Sequence, residues 1–182
     1  MGVVINVNKI PRKIYVSFIK LVGRFNMPWY LKRYVRHLRK YGMDIDGMPQ
    51  YIAPTATFDG RDYSLIHIGD KTVIAGEVMV LTHDYSIARA LEAIGEDMTL
   101  EAYFLREISI GKNCFIGARS ILMPGCTIGD NCIIGAGSIV RGKIEPNSII
   151  VGGSCEVVGN TLEWARKKQA KGEYYRNASR TH

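Results

Sequence analysis

Residues 108–140 read ISIGKNCFIGARSILMPGCTIGDNCIIGAGSIV, and one aliphatic side chain returns every six residues at the same phase. Ile110, Ile116, Leu122, Ile128, Ile134 and Val140 keep that phase. Gly111, Gly117, Gly129 and Gly135 directly follow four of these six, and Cys114, Ser120, Cys126, Cys132 and Ser138 stand four places after five of them. An amphipathic helix repeats its apolar positions at three and four residues and a half-buried strand at two, so a period of six fits neither. A fixed hexapeptide period predicts a parallel β-helix, in which each unit is a short strand and a turn and successive coils stack in register. The aliphatic ladder is then the core. The glycine after it is expected to permit tight backbone conformations at the corner, and the later small residue keeps bulk out of a narrow interior.

The same spacing appears upstream in Ile68-Gly-Asp-Lys-Thr-Val, Ile74-Ala-Gly-Glu-Val-Met and Val80-Leu-Thr-His, with Ile52-Ala-Pro-Thr-Ala-Thr in another phase. Between Asp84 and Arg106 the pattern is absent. That segment is expected to be a loop thrown out of the coil, and long loops in repeat folds are usually functional.

A chain of 182 residues with 47% hydrophobic composition can build one domain with a proper core. No run approaches the eighteen apolar residues of a membrane span, and residues 1–11 lack the apolar stretch of a secretory signal. A cytoplasmic protein is expected. The cysteines have no metal-type spacing, and Cys114, Cys126 and Cys132 occupy the small-residue position of the repeat, which suits buried structural thiols. The formal charge of +7 is uneven: residues 1–43 hold ten Lys or Arg and no carboxylate, whereas residues 44–162 hold eight basic and fifteen acidic residues. Nucleic-acid binding by the whole fold is not indicated.

Three regions are expected: a helical N-terminal cap over 1–45, a β-helix over 46–158 carrying the loop 84–106, and a C-terminal helix and tail over 159–182. Helical spacing places Ile14, Phe18, Leu21, Val22 and Phe25 on one face, then Leu31, Tyr34, Val35 and Leu38 after a break at Pro28. The second helix carries Lys32, Arg33, Arg36, Arg39 and Lys40 on its polar side. The pair reads either as a cap over the open end of the coils or as a basic element near an anionic membrane or a lipid-linked acceptor. Thr161 to Lys171 reads as the last helix, with Asn160 as its N-cap.

With these residues in view, the chain resembles the hexapeptide-repeat acyltransferases with a left-handed parallel β-helix, and most closely the galactoside, maltose and polysaccharide O-acetyltransferases. The motifs that carry the likeness are His67-Ile-Gly-Asp, Leu81-Thr-His-Asp, Ile108-Ser-Ile-Gly-Lys-Asn-Cys-Phe-Ile-Gly-Ala and Ile121-Leu-Met-Pro-Gly-Cys-Thr-Ile-Gly-Asp-Asn-Cys-Ile-Ile-Gly-Ala-Gly-Ser-Ile-Val. The likeness spans roughly residues 50–158. It implies a mainly β fold, a homotrimer with active sites at subunit interfaces, and acetyl-CoA as co-substrate with no metal.

The resemblance also implies that His83, where a coil ends and the loop begins, is the general base. Imidazole titrates near neutrality and can take a proton from an acceptor hydroxyl as it attacks a thioester. Asp84 is its sequence neighbour, but adjacent side chains of an extended segment point to opposite faces, so Asp84 is expected to serve the acceptor or the loop instead. Asp59 and Glu77 are alternative orienting groups. Asp84, Tyr85 and Asp59 are acceptor-binding candidates, and the loop adds Arg89 and Tyr103. For coenzyme A the candidates are Phe115, Gly117, Ala118, Ala136, Arg141 and Lys143. Phe115-Ile-Gly-Ala118 stands where the family has Trp-Ile-Gly-Ser, Arg141-Gly-Lys143 where it often has Thr-Lys-Asp, and Gly152-Gly-Ser-Cys-Glu156 where Gly-Asn-Pro-Ala-Lys is common. Arg166, Lys167 and Lys168 are further candidates for the nucleotide phosphates.

The expected activity is acetyl-CoA-dependent O-acetylation of a carbohydrate hydroxyl by direct transfer, on a sugar, oligosaccharide or surface polysaccharide precursor. The alternatives are an amino-sugar N-acyltransferase or serine O-acetyltransferase and, outside the class, a non-catalytic scaffold. A zinc carbonic anhydrase of the same fold needs three histidines, and the coils offer only His67 and His83 with no His-x-x-x-x-His pair, which argues against it.

Overall fold

The computed structural model describes residues 11–23, 25–60, 63–97 and 99–171. Two helices, α1 (Arg12–Val22) and α2 (Met27–Lys40), precede the coils. The first coil is β1 (Asp44–Ile45), β2 (Tyr51–Ile52) and β3 (Thr57–Phe58); the second is β4 (Ile66–Ile68), β5 (Val73–Ile74) and β6 (Met79–Val80). An excursion follows, made of β7 (His83–Asp84), α3 (Ser86–Ala93) and β8 (Phe104–Leu105). The third coil is β9 (Ile108–Ile110), β10 (Phe115–Ile116) and β11 (Ile121–Leu122), and the fourth is β12 (Thr127–Ile128), β13 (Ile133–Ile134) and β14 (Ile139–Val140). The described residues end with β15 (Lys143–Ile144), β16 (Ser148–Val151), β17 (Glu156–Asn160) and α4 (Thr161–Lys171), and the expected tail beyond residue 171 lies outside them.

Every third strand stacks on its predecessor, giving a three-sided prism. Face I is β1-β4-β9-β12-β15, face II is β2-β5-β10-β13-β16 and face III is β3-β6-β11-β14. All pairings along these faces are parallel. The six aliphatic residues of the sequence ladder point inward, none more than 1% exposed, so the period of six is the core period. Each burial of this kind is worth roughly 1.5–3 kcal/mol relative to an exposed side chain. Cys114, Ser120, Cys126, Cys132 and Ser138 are also buried, filling the corners as expected.

The glycines serve a different purpose from the expected one. The left-handed corner positions belong to Lys71, Asn113, Asn131 and Asn147 between faces I and II, and to Glu77, Arg119 and Gly137 between faces II and III. Gly111 and Gly117 instead lie where the next coil's backbone passes: a Cβ at Gly117 would stand 2.5 Å from Ala136 N. The asparagines form a ladder, with Asn113 Nδ2 donating to Asn131 Oδ1 at 2.9 Å and Asn131 Nδ2 to Asn147 Oδ1 at 3.1 Å. Each side chain thereby satisfies its neighbour while its backbone takes the conformation Asn tolerates best after glycine.

The helical hairpin caps the first coil. Arg39 donates from its guanidinium to Ile45 O, Lys20 Nζ donates to Ala56 O at 3.0 Å, and Tyr63 N donates to Tyr41 O at 3.0 Å. Pro28 is not the break; it sits in the first turn of α2, where a missing N–H costs little, and Asn26 caps that helix by accepting from Trp29 N. The turn follows Gly23, whose Cβ would collide with the Tyr30 ring at 2.8 Å. The inward face of α1 also differs from the expected one. Tyr15, Val16 and Ile19 meet the core, whereas Ile14, Phe18, Leu21 and Phe25 are exposed. Periodicity marks an apolar stripe but not its partner, and α1 has two such stripes.

At the other end, Gly152-Gly-Ser-Cys-Glu156 is not a coil corner. It turns the chain from β16 into β17, which returns antiparallel along face II. Asn160 accepts from Leu162 N and Glu163 N at the start of α4.

Candidate active site

The edge between faces III and I collects the irregularities of the coil. Both the connection from β3 to β4 and the excursion from β6 to β9 leave the prism there. Despite the excursion, the coils below and above it pair directly, β4 with β9, β5 with β10 and β6 with β11. The segment 84–106, expected as a loop, contains α3 and the strand β8, which pairs antiparallel with β7 so that His83 faces Leu105.

Asp59, at the end of β3, lies one coil below His83. Its Oδ2 meets His83 Nδ1, and the same oxygen accepts from Thr82 N at 3.1 Å and His83 N at 3.3 Å. The Asp59 side chain is 14% exposed and that of His83 35%. A carboxylate held by two backbone amides and pressed on Nδ1 fixes the ring and makes Nδ1 the protonated nitrogen. Nε2 is then the nitrogen left for chemistry. Asp59, named above both as an acceptor contact and as an orienting group, has the orienting geometry.

A cleft of about 350 Å³ opens beside the pair, lined by Gly60, Ser64, Leu65, Thr82, His83, Tyr85, Tyr103 and Leu105. Tyr85 stands edge-on to the His83 ring at 5.2 Å and lies tilted against the Tyr103 ring at 5.0 Å. Gly60, Ser64 and Leu65 were not among the residues singled out in the sequence. The signal for them is the extra length between Phe58 and Ile66, which the hexapeptide register does not need.

Other assignments change. Asp84 turns to the loop: its Oδ1 accepts from Ser86 N at 2.8 Å, opening α3. That bond, helped by the charges of Arg141 and Arg106, holds its carboxyl below the usual range. Glu77 cannot orient His83, because it lies on the II/III edge with its Oε2 2.8 Å from Arg119 Nε. Arg89 is engaged by Glu92 and Glu101 rather than aimed into the cleft. His67 lies on face I, its Nδ1 2.8 Å from Asp44 Oδ2, separate from His83.

The coenzyme A candidates divide between edges. Phe115 projects from face II, 45% exposed, and Gly117, Ala118 and Ala136 line the II/III edge beside it. Arg141 lies on the III/I edge near Asp84, and Lys143, on face I, is paired with Glu145 at 2.8 Å. One chain therefore does not bring Phe115 and Ala136 to His83. Arg166, Lys167 and Lys168 lie on α4, which buries none of its residues.

Stacked hexapeptide coils, preceded by two helices and followed by one, define a left-handed parallel β-helix fold. Residues 107–142 match the family described as bacterial transferase hexapeptide (six repeats). Protein CapG of Staphylococcus aureus is 37% identical over 117 residues, and the match spans 64% of this chain and 64% of CapG. Galactoside acetyltransferase in complex with coenzyme A superposes with a TM-score of 0.57 at 22% identity, covering 91% of this chain and 86% of that one. A hexapeptide-repeat acetyltransferase of Vibrio cholerae O1, complexed with acetyl coenzyme A, gives 0.57 at 16% identity over 80% and 85% of the two chains.

Proposed function

We propose that this chain is an acetyl-CoA-dependent O-acetyltransferase that acts on a carbohydrate hydroxyl, with His83 as general base. The observation that carries the reading is the Asp59–His83 pair at the mouth of a cleft walled by Tyr85 and Tyr103. The similar proteins described as acetyltransferases support the reaction class.

Acetyl-CoA supplies the acyl group as a thioester. His83 Nε2 takes the proton of the acceptor hydroxyl as its oxygen bonds to the acyl carbon, and Asp59 stabilises the imidazolium that forms. When the carbon–sulfur bond breaks, the imidazolium returns its proton to the leaving thiolate, which restores the neutral ring. No side chain of the enzyme is acylated. Two tyrosines tilted against each other, with Ser64 and Thr82 also lining the cleft, suit a sugar ring, which presents an apolar face and hydroxyl edges.

The site is completed by a second copy. Phe115 and the small residues Ala118 and Ala136 give a shelf on the II/III edge where a pantetheine arm can approach the backbone, and the III/I edge of a neighbouring copy supplies His83. A closed trimer gives three equivalent junctions. Arg141 adds positive charge on the His83 side. A cytoplasmic site of action accompanies this reading, since acetyl-CoA is the donor.

The test is thiol release from acetyl-CoA with a panel of mono- and oligosaccharides, nucleotide sugars, amino sugars and serine, using wild type beside His83→Ala. Turnover that depends on a sugar hydroxyl and disappears in the variant supports the reading. Turnover only with an amine or serine, or activity retained without His83, overturns it.

A further inference from the structure

The outer side of the helical cap is a docking surface for an anionic phospholipid membrane, we infer, and this stands apart from the transfer chemistry. The observation is the second apolar stripe of α1. Ile14, Phe18 and Leu21 follow one another at helical spacing and are 61%, 57% and 57% exposed; Phe25, just past the helix, is 87% exposed. The opposite side of α1 already meets the core through Tyr15, Val16 and Ile19. A helix apolar on two sides needs two partners, and the coil supplies one.

Charge identifies the other. The core-facing side of α2 consists of Tyr30, Tyr34, Val35 and Leu38, so its outer side carries Lys32, Arg33, Arg36 and Lys40, all exposed. Trp29, half-buried against the core, borders this basic stripe, with the Arg33 guanidinium 5.5 Å from its ring centroid. Two helices packed side by side on one core turn their outer sides the same way, so apolar and cationic stripes form one surface. Residues 1–43 hold no carboxylate to neutralise it. Aromatic and aliphatic side chains beside Lys and Arg match the boundary between acyl chains and anionic headgroups. Two such surfaces repel each other, which argues against a second cap as the occupant. The coil of another copy, with fifteen acidic against eight basic residues over 44–162, is the competing occupant, and sedimentation separates it from a membrane.

The experiment is flotation of the whole chain with large vesicles of phosphatidylcholine, with and without phosphatidylglycerol, at low and high salt. The variants are Phe18→Ser with Leu21→Ser, and Lys32→Gln with Arg36→Gln and Lys40→Gln. We expect binding to the anionic vesicles at least tenfold tighter than to the neutral ones, weakened by salt, and lost at least tenfold in either variant. In a Trp164→Phe background, Trp29 emission should shift to shorter wavelength on binding. Acetyl transfer to a soluble acceptor and the unfolding midpoint should be unchanged in both variants, since every substituted residue is exposed and none lines the cleft beside His83. No binding, equal binding to both vesicles, or variants that bind like wild type would overturn the inference. So would sedimentation showing that Phe18→Ser with Leu21→Ser splits an oligomer, because a second copy would then be the occupant. Loss of transfer activity with binding intact, or the reverse, separates this inference from the proposed reaction.

Discussion

Asp59 reaches from one coil to the next and places a single carboxylate oxygen against both His83 Nδ1 and the amide nitrogens of Thr82 and His83. The ring is thereby fixed by backbone that the coil itself holds. Asp59→Asn keeps the shape but offers an amide that can present N–H to Nδ1 and favour the wrong tautomer. We expect kcat to fall about 10²-fold with KM for acetyl-CoA nearly unchanged, and His83→Ala to lose roughly 10²–10⁴-fold. Steady-state thiol release measures both. An Asp59→Asn enzyme as active as wild type would show that the pair is only structural.

The division of the candidate residues between two edges leads to a mixing experiment. His83→Ala removes one side of the junction, and Ala136→Trp fills the shelf on the other. Each variant alone should be inactive. Co-assembled one to one, about a quarter of the junctions in the proposed closed trimer keep both sides intact, and activity should return to that order. If the mixture stays as inactive as its parts, His83 and Ala136 serve the same chain or different functions.

Asn131 takes a positive φ of 57° and sits in the middle of the asparagine ladder. Asn131→Ala loses two side-chain hydrogen bonds and forces an L side chain without local compensation into the left-handed region, a cost of about 2–4 kcal/mol. Asn131→Gly relieves the backbone and loses only the bonds, costing about 1–2 kcal/mol. Urea unfolding should rank wild type, Gly and Ala in that order. Ala equal to or better than Gly would show that the corner does not depend on φ.

Thiol reactivity should separate the four cysteines. Cys114, Cys126 and Cys132 are at most 2% exposed, and burial pushes the Cys126 thiol up to about 12; Cys155 alone is half-exposed. A chromogenic disulfide reagent should titrate one thiol quickly in the native protein and the other three only on unfolding. Cys155→Ser should remove the fast phase without changing transfer activity.

Asp84 gives a pH signature. Its folded pKa is depressed, first by the Ser86 amide bond, so its contribution to stability is full above the unfolded carboxylate value and is lost as pH falls through the folded one. Asp84→Asn should lower Tm near neutrality, and the gap to wild type should close below about pH 4. A gap that persists undiminished into that range would assign the effect to packing.

The β-helix was legible because its core period equals its sequence period: Ile110 to Val140 each report one inward position, and the stacking that buries them needs no information from elsewhere. His83 was legible by its position at the end of the regular register. Asp59 was harder to place, since its approach to His83 depends on which coil lies beneath which, and the extra residues before Ile66 obscure that alignment. Glu77 looked equally near in sequence until the corners were assigned. The two-sided character of α1 was hidden for a different reason: Ile14, Phe18 and Leu21 have the composition of a core stripe, and only the packed coil shows that Tyr15 and Ile19 took that place.

The direct pairing of β4 with β9, β5 with β10 and β6 with β11 across the excursion means that the prism closes as if residues 83–107 were an appendix. The stacking and the cleft are thus written in largely separable parts of the chain, the cleft mostly in the two connections of the III/I edge. One edge can change length and composition without altering the stacking rule, while the other two cannot tolerate even a methyl group where Gly111 passes Asp130 and Gly117 passes Ala136. Lineages of such proteins should accordingly diverge by exchanging what hangs from a single seam, and a transplanted 84–106 segment is the natural unit for re-engineering what the cleft accepts.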